Sequence, residues 1–366
     1  MEFIKFPWKI YRHDPNWVPP LLMERKEFLD PKKNPFFHHA EVAFFMAYRG
    51  EEAVGRIAAI DNKLHNDYHG ESVGFFGLFE CVNDQAVADA LLNQAKEFLK
   101  GRGLAAMRGP ANFSSNDEWG LLVDSFDRPP VILMTYNPAY YVPLLEKHGL
   151  KKVKDVVAHY LEAPKEVPER IRRGVELILK RNEFTVRKIN MKDFDNEVKR
   201  IKAIYNAAWE KNWGFIPMTD AEFDFMAKQM KQIVDPDFIL IAEHKGNPVA
   251  FSLTIPNLNE ALIKIHDGKL FPFGLIKLLW HSRKGQIRSV RVVTLGITKE
   301  HRNSGIDTVF YHKCFEEGLK KGVHWAELSW ILEDNTAMNR ALERLGGRIY
   351  KTYRILEMPL NSFPHS

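Results

Sequence analysis

"SVRVVTLGITKEHRNSGIDTVFYHKCFEEG", residues 289–318, decides the fold. Its opening is rich in β-branched side chains and reads as a strand. The polar run ending at Gly305 reads as a tight turn. Ile306, Val309, Phe310 and Cys314 then share one face of a helix. The first turn of a helix offers unpaired N–H groups and the positive end of the macrodipole, which together suit an anion. Gly305 lets the backbone approach closely, and Arg302 adds a permanent cation. The same residues admit a second reading. Ser304 and Asp307 have the spacing of a capping box, which would occupy the donors that a phosphate needs. On sequence alone both readings stand.

Working outward, "HWAELSWIL" (324–332) alternates and reads as the next strand, with Glu327 and Ser329 opposite Leu328 and Trp330. Upstream, "FILIAEHKGNPVAFSLTIP" is a strand pair about a turn at Lys245–Pro248. The first half follows the same plan. "EVAFFMAYRGEEAVGRIAAIDN" reads as two strands, "SVGFFGLFE" as a third, Gln85–Leu99 as an amphipathic helix and "LAAMRGP" as a further strand. The ends of the two halves also match: residues 137–155 and 335–353 each run Asn, helix, Gly, strand. This predicts two copies of one α/β unit, 1–165 and 166–366, joined in the charged stretch near residue 165. The Pro- and aromatic-rich opening, "FPWKIYRHDPNWVPPLL", predicts an irregular arm.

Composition narrows the functional classes. Of 366 residues, 45% are hydrophobic and 27% charged, as in a globular chain. Lys+Arg of 52 against Asp+Glu of 47 gives +5, without the basic tracts of a nucleic-acid binder, so no nucleic-acid partner is expected. Cys81 and Cys314 fit neither a disulfide framework nor a metal site and predict a reducing, cytoplasmic setting. No signal peptide and no membrane span is expected. "HNDYHGE" (His65, His69, Glu71) and "FFHHAE" (His38, His39, Glu41) imitate metal ligands but read as surface histidines, the first set in a loop, so no metal is expected. "LFPFGLIKLLWHSRKGQIRSVR" joins an apolar segment to Arg283, Lys284, Arg288 and Arg291. It reads either as a buried helix with a solvated basic end or as an interfacial element resting on anionic lipid, which would make the protein peripheral to a membrane.

Strand, Arg-x-x-Gly loop, helix, strand, then Asn-helix-Gly is an order that resembles the GNAT superfamily of acyl-CoA-dependent N-acyltransferases. The match is best over residues 185–358 and holds in outline for the first half. With "RGPANFSSNDEWGLLVDSFDRPPV" and "AWEKNWGFIPMT", the whole pattern resembles a bacterial group of tandem GNAT-like proteins related to the bacterial ceramide synthases, which transfer long acyl chains to lipid amines. The resemblance implies two tandem α/β (α+β) domains, each a mixed, mostly antiparallel twisted sheet flanked by helices. It implies acyl transfer from acetyl-CoA, a longer acyl-CoA or an acyl-carrier protein to a small-molecule or lipid amine. The donor would lie along Leu295, Gly296 and Ile297, then Arg302, Asn303, Ser304, Gly305 and Ile306, with Asn335 and Asn339 in the later asparagine motif. Trp209, Trp213, Phe215 and His266 would gate the acceptor. Glu327, Glu333 and Tyr353 are the candidates for proton transfer, with His266 as a further base. Two departures from the family pattern bear on activity. Asp307 stands where a Gly or Ala is usual, and Leu342 stands where many members place a Tyr acid. Both leave open a catalytically inactive binding or regulatory protein. The first half has no Arg-x-x-Gly loop and is expected to complete the acceptor cleft.

Overall fold

In the computed structural model, which describes residues 1–167, 169–209 and 212–360 (the side chain of Arg170 excepted), the chain builds one large sheet with helices on its faces. The first half supplies β1 (Ala40–Arg49), β2 (Glu52–Asn62), β3 (Val73–Cys81), β4 (Ala106–Gly109), the short β5 (Ala111–Asn112), β6 (Glu118–Trp119) and β7 (Leu121–Leu122), and β8 (Lys151–Glu162). The second half supplies β9 (Phe184–Lys188), β10 (Ile239–His244), β11 (Asn247–Pro256), β12 (Ser289–Ile297), β13 (Trp325–Leu332) and β14 (Arg348–Pro359). The helices that matter here are α1 (Gln85–Lys100), α2 (Tyr141–Lys147), α3 (Glu169–Arg181), α4 (Phe194–Trp209), α5 (Asp220–Met230), α6 (Gly274–His281), α7 (Ile306–Lys321) and α8 (Thr336–Arg344).

The expected repeat is visible. In each half a parallel strand pair is bridged by a 16-residue helix: β3–α1–β4 in the first, β12–α7–β13 in the second. Each half then closes with a short helix and a 12-residue strand, α2–β8 and α8–β14. These closing strands change places. The order is β1-β2-β3-β4-β14-β8-β13-β12-β11-β10-β9, so β14 of the second half sits against β4 of the first, and β8 of the first sits against β13 of the second. The two sheets expected from sequence are therefore one. The exchange leaves no free strand edge between the halves, where an unpaired ladder would invite association. The residue-165 junction lies in the connection between β8 and α3, and residues 361–366 lie outside the described set.

Helix packing follows the apolar stripes. Val87, Leu91, Ala95 and Leu99 of α1 are buried over β1 and β2, and truncating one such leucine costs roughly 2–5 kcal/mol. Ile306, Val309 and Phe310 of α7 are fully buried against β10 and β11. The opening arm is largely irregular from Tyr11 to Leu21, as expected, and carries short helices at Glu2–Lys5, Pro7–Ile10 and Leu22–Phe28. Among the described residues no helix is long and apolar enough to cross a membrane.

Candidate active site

β12 and β13 run in parallel register only from Ser289–Trp325 to Val292–Leu328. Beyond that the strands part. β12 continues against β11, while β13 keeps only its β8 partner, with a register shift between Leu328 and Ile331. A bulge makes Val293 the extra residue between Val292 and Thr294 in the β11 ladder. The far end of β12, Val293–Ile297, thus has a ladder partner on one side only, and the other side is open to an extended group that adds as a pseudo-strand. Leu295, Gly296 and Ile297 all lie on this stretch. The Thr294 hydroxyl is buried there without a partner among the described residues. Trp209, at the end of α4, covers the strand: a Cβ on Gly296 would come within 2.7 Å of its ring.

β12 leads into a turn held by His301, whose Nδ1 lies 3.0 Å from Thr298 Oγ1 and whose Nε2 lies 3.3 Å from His244 Nδ1. Asn303 (φ 63°) and Gly305 (φ 83°) are left-handed, a conformation that Gly and Asn tolerate best. The N-cap of α7 is Gly305, not Ser304, and no described side chain caps it. The capping box expected as the alternative is therefore absent. The Ser304 hydroxyl is buried without a partner, and the half-buried Asp307 makes no hydrogen bond or ion pair among the described residues. The reason is geometric: placing Gly305 at the N-cap shifts Ser304 one residue too early to reach the third amide. Arg302 is exposed and donates through Nη2 to the Ala208 carbonyl at 3.0 Å. Ile178 of α3, which sequence reading did not single out, lies over Gly305.

The equivalent turn in the first half makes the contrast. There Asp84 caps α1, its carboxylate accepting from the Ala86 amide at 2.9 Å and from Arg49 at 2.6 Å. One copy closes its first-turn amides with its own carboxylate, and the other leaves them free.

Where β12 and β13 part, a polar cluster is buried beneath them. Glu327 is fully buried, not a solvated strand residue. It accepts from the Ser329 hydroxyl and from Tyr350, which is the extra residue of a bulge in β14 and so reaches past β8. Arg291 is also buried, which corrects its expected place in a solvated basic end. Its position opposite Glu327 in the parallel register carries it inward, where Nε donates to Ser329 Oγ at 3.0 Å and Nη1 to the Ile132 and Leu133 carbonyls at 3.1 and 2.9 Å. Burial, and then the Glu327 charge, push the Tyr350 and Tyr353 hydroxyls well above the usual phenol range. Tyr353 is fully buried, and among the described residues neither its hydroxyl nor the Trp330 Nε1 beside it has a partner, the ring centroids lying 6.3 Å apart. Lys351 is buried too and donates to the Arg128 and Pro129 carbonyls at 3.1 Å each, and burial lowers it to about 8.

The remaining sequence-derived residues lie apart from this cluster. Glu333 is exposed and accepts from Lys152 at 2.6 Å and from the Asp155 amide at 3.0 Å. Asn335 caps α8, and Asn339 joins the Leu332 carbonyl to His159. His266 is exposed, and its carbonyl accepts from the Trp8 indole at 2.7 Å. Trp213 walls a pocket of about 420 Å³ with His65, Glu71 and Arg108, between the halves. Phe215 is buried beside it, its carbonyl facing His69 Nε2 at 2.8 Å. His65 and His69 lie on a short helix, Lys63–His69, rather than in a loop, and His65 is buried against Glu71. Among the described residues no group of three such side chains could hold a metal ion. Burial pushes the Cys81 thiol to about 12 and Cys314 to about 11, so neither is a ready thiolate.

The chain is 39% identical over 368 residues to the bacterial ceramide synthase of Caulobacter vibrioides (strain NA1000 / CB15N), covering 98% of this chain and 94% of that protein. It belongs to the bacterial ceramide synthase family. A second member of similar length, Protein YghO of Escherichia coli (strain K12), is 36% identical across 97% of this chain and 91% of its own. No protein-family model matches. Among solved structures, a tandem GNAT protein from the clavulanic acid biosynthesis pathway aligns over 99% of this chain and 95% of its own, with a TM-score of 0.58 at 11% identity. A glucosamine N-acetyltransferase region of a fungal multi-domain β-N-acetylglucosaminidase aligns over 98% of this chain and 37% of its own, with a TM-score of 0.53 at 14% identity. The fold of this bacterial ceramide synthase relative is thus the tandem GNAT fold, and its function is acyltransferase-like.

Proposed function

We propose that the chain transfers a fatty acyl group from an acyl thioester, acyl-CoA in the first instance, to the primary amine of a long-chain lipid amine, forming an amide. The observation that carries this reading is the contrast between the two turns: Asp84 closes one, while Gly305 to Thr308 and the buried Ser304 hydroxyl leave the other open. Free first-turn amides fit the phosphates of a CoA-type donor. In this reading the parted end of β12 takes its amide-rich arm, and the amide of Val293, the extra residue at the bulge, polarises the thioester carbonyl.

In the reaction the amine nitrogen attacks the thioester carbonyl carbon, the C–S bond breaks, and the ammonium proton and the thiolate charge must both be resolved. In this reading Glu327, which accepts from Ser329 and Tyr350, takes the proton. The Tyr353 hydroxyl, kept protonated by burial and without a partner, takes the place of the Tyr that Leu342 does not supply. The name of the Caulobacter vibrioides relative supports a sphingoid base as acceptor. The test is release of free thiol from palmitoyl-CoA with sphinganine as acceptor, followed by mass detection of the amide. Amide formation with a 1:1 thiol yield supports the reading. Donor binding without thiol release across a panel of amines would instead assign a binding protein.

A further inference from the structure

The segment from Lys269 to Arg288 carries five Lys or Arg and no Asp or Glu. The sequence left open whether its apolar part is buried. It is not. Phe271, Phe273, Ile276, Leu279 and Trp280 are each 62–69% exposed, on α6 and the turn before it. Met1 and Met23 are exposed on the neighbouring amino-terminal arm. Between arm and turn lies an apolar pocket of about 350 Å³, whose walls include Leu22, Leu270 and Phe271 and the three lysines Lys5, Lys26 and Lys269. Soluble proteins rarely expose so many large apolar side chains together unless the patch binds something.

We propose that this face docks on an anionic phospholipid surface. Charge complementarity decides for lipid over a protein partner. Lys5, Lys26, Lys269, Lys277, Arg283 and Lys284 surround the apolar side chains, and none of them forms an ion pair among the described residues. The acids of the arm have other partners: Glu24 pairs with Arg25 and Glu27 with Lys33, and Glu2 accepts from Tyr48. The Arg283 guanidinium lies 3.8 Å from the Trp280 ring centroid, an arrangement in which the indole sits at headgroup depth and the cation meets phosphate. A helix of eight residues is too short to span, so it lies in the plane of the interface. The inference is independent of the proposed reaction, since it rests on surface residues outside the buried cluster.

The test is co-sedimentation of the full-length protein with vesicles. Phosphatidylglycerol–phosphatidylcholine vesicles should bind at least tenfold more tightly than pure phosphatidylcholine, and 0.5 M salt should remove most of that difference. Ile276→Asp with Leu279→Asp should abolish binding at an unchanged melting temperature, because these side chains are exposed and fill no core. Lys269→Gln, Lys277→Gln and Lys284→Gln together should weaken binding to anionic vesicles by about a hundredfold, each cation contributing about fivefold. Equal binding to both vesicle types, or none, overturns the proposal. So does a dimer by light scattering that the Asp variants dissociate while the wild type ignores vesicles, which would make this face a contact between copies.

Discussion

Asp307 offers the sharpest perturbation. It sits in the first turn of α7, half-buried and, among the described residues, without a partner, beside amides that no side chain caps. Asp307→Asn acts on two quantities with opposite sign. For the free protein, removing a carboxylate from a helix N-terminus costs about 0.3–1 kcal/mol. In a chain of this size that lowers the melting temperature by about 1 °C or less. For a bound diphosphate, a like charge about 4 Å away costs roughly 1 kcal/mol in water and roughly 4 kcal/mol at an effective dielectric of 20. Because the position is half-buried and beside Arg302, the lower part of that range applies. The substitution should then tighten acyl-CoA binding by about 1–2 kcal/mol, or roughly five- to thirtyfold. Calorimetric titration of palmitoyl-CoA into both proteins, with thermal unfolding of each, reads both quantities. A less stable but tighter-binding variant is the expected pair. An affinity that is unchanged or weaker means the donor phosphates do not sit at this turn.

Further perturbations probe the neighbouring parts. Arg302→Ala should weaken donor affinity about tenfold or more, the usual size of a lost charged hydrogen bond, in the same titration; an affinity within about twofold of wild type would argue against a cationic clamp. Glu327→Gln should lower kcat about a hundredfold or more in the thiol-release assay with donor affinity held within twofold, and Tyr353→Phe should likewise act on kcat rather than on binding. Lys351 predicts a pH dependence of stability. Its ammonium is held at about 8 in the fold against 10.5 when exposed, so between those values the unfolded chain binds more protons. Stability therefore rises with pH across that window, by at most about 3 kcal/mol. Urea unfolding at pH 7.5 and 9.5 should show the rise in the wild type and lose it in Lys351→Met.

The repeat, the element types and the strand–turn–helix of residues 289–318 were all legible, because each rests on local periodicity or on turn residues. The exchange of β8 and β14 was not, because pairing between halves leaves no local trace. The same blindness explains the site. Leu295, Gly296 and Arg302 could be located from the local strand and turn, but Tyr350 and Lys351 join the cluster only through a bulge in β14 and the pairing of β14 with β8 of the first half. Arg291 read as one more residue of a basic run, although its register opposite Glu327 buries it. Ser304 looked like a cap because spacing alone cannot say whether the helix starts at Ser304 or at Gly305; the left-handed Gly305 decides it.

Hydrogen–deuterium exchange with and without palmitoyl-CoA compares the two turns within one molecule. The amides of residues 293–297 and 305–308 should gain protection, while those of residues 84–88, already closed by Asp84, stay unchanged. Protection at 84–88 instead, or at neither turn, would contradict the assignment of the open turn as the donor site.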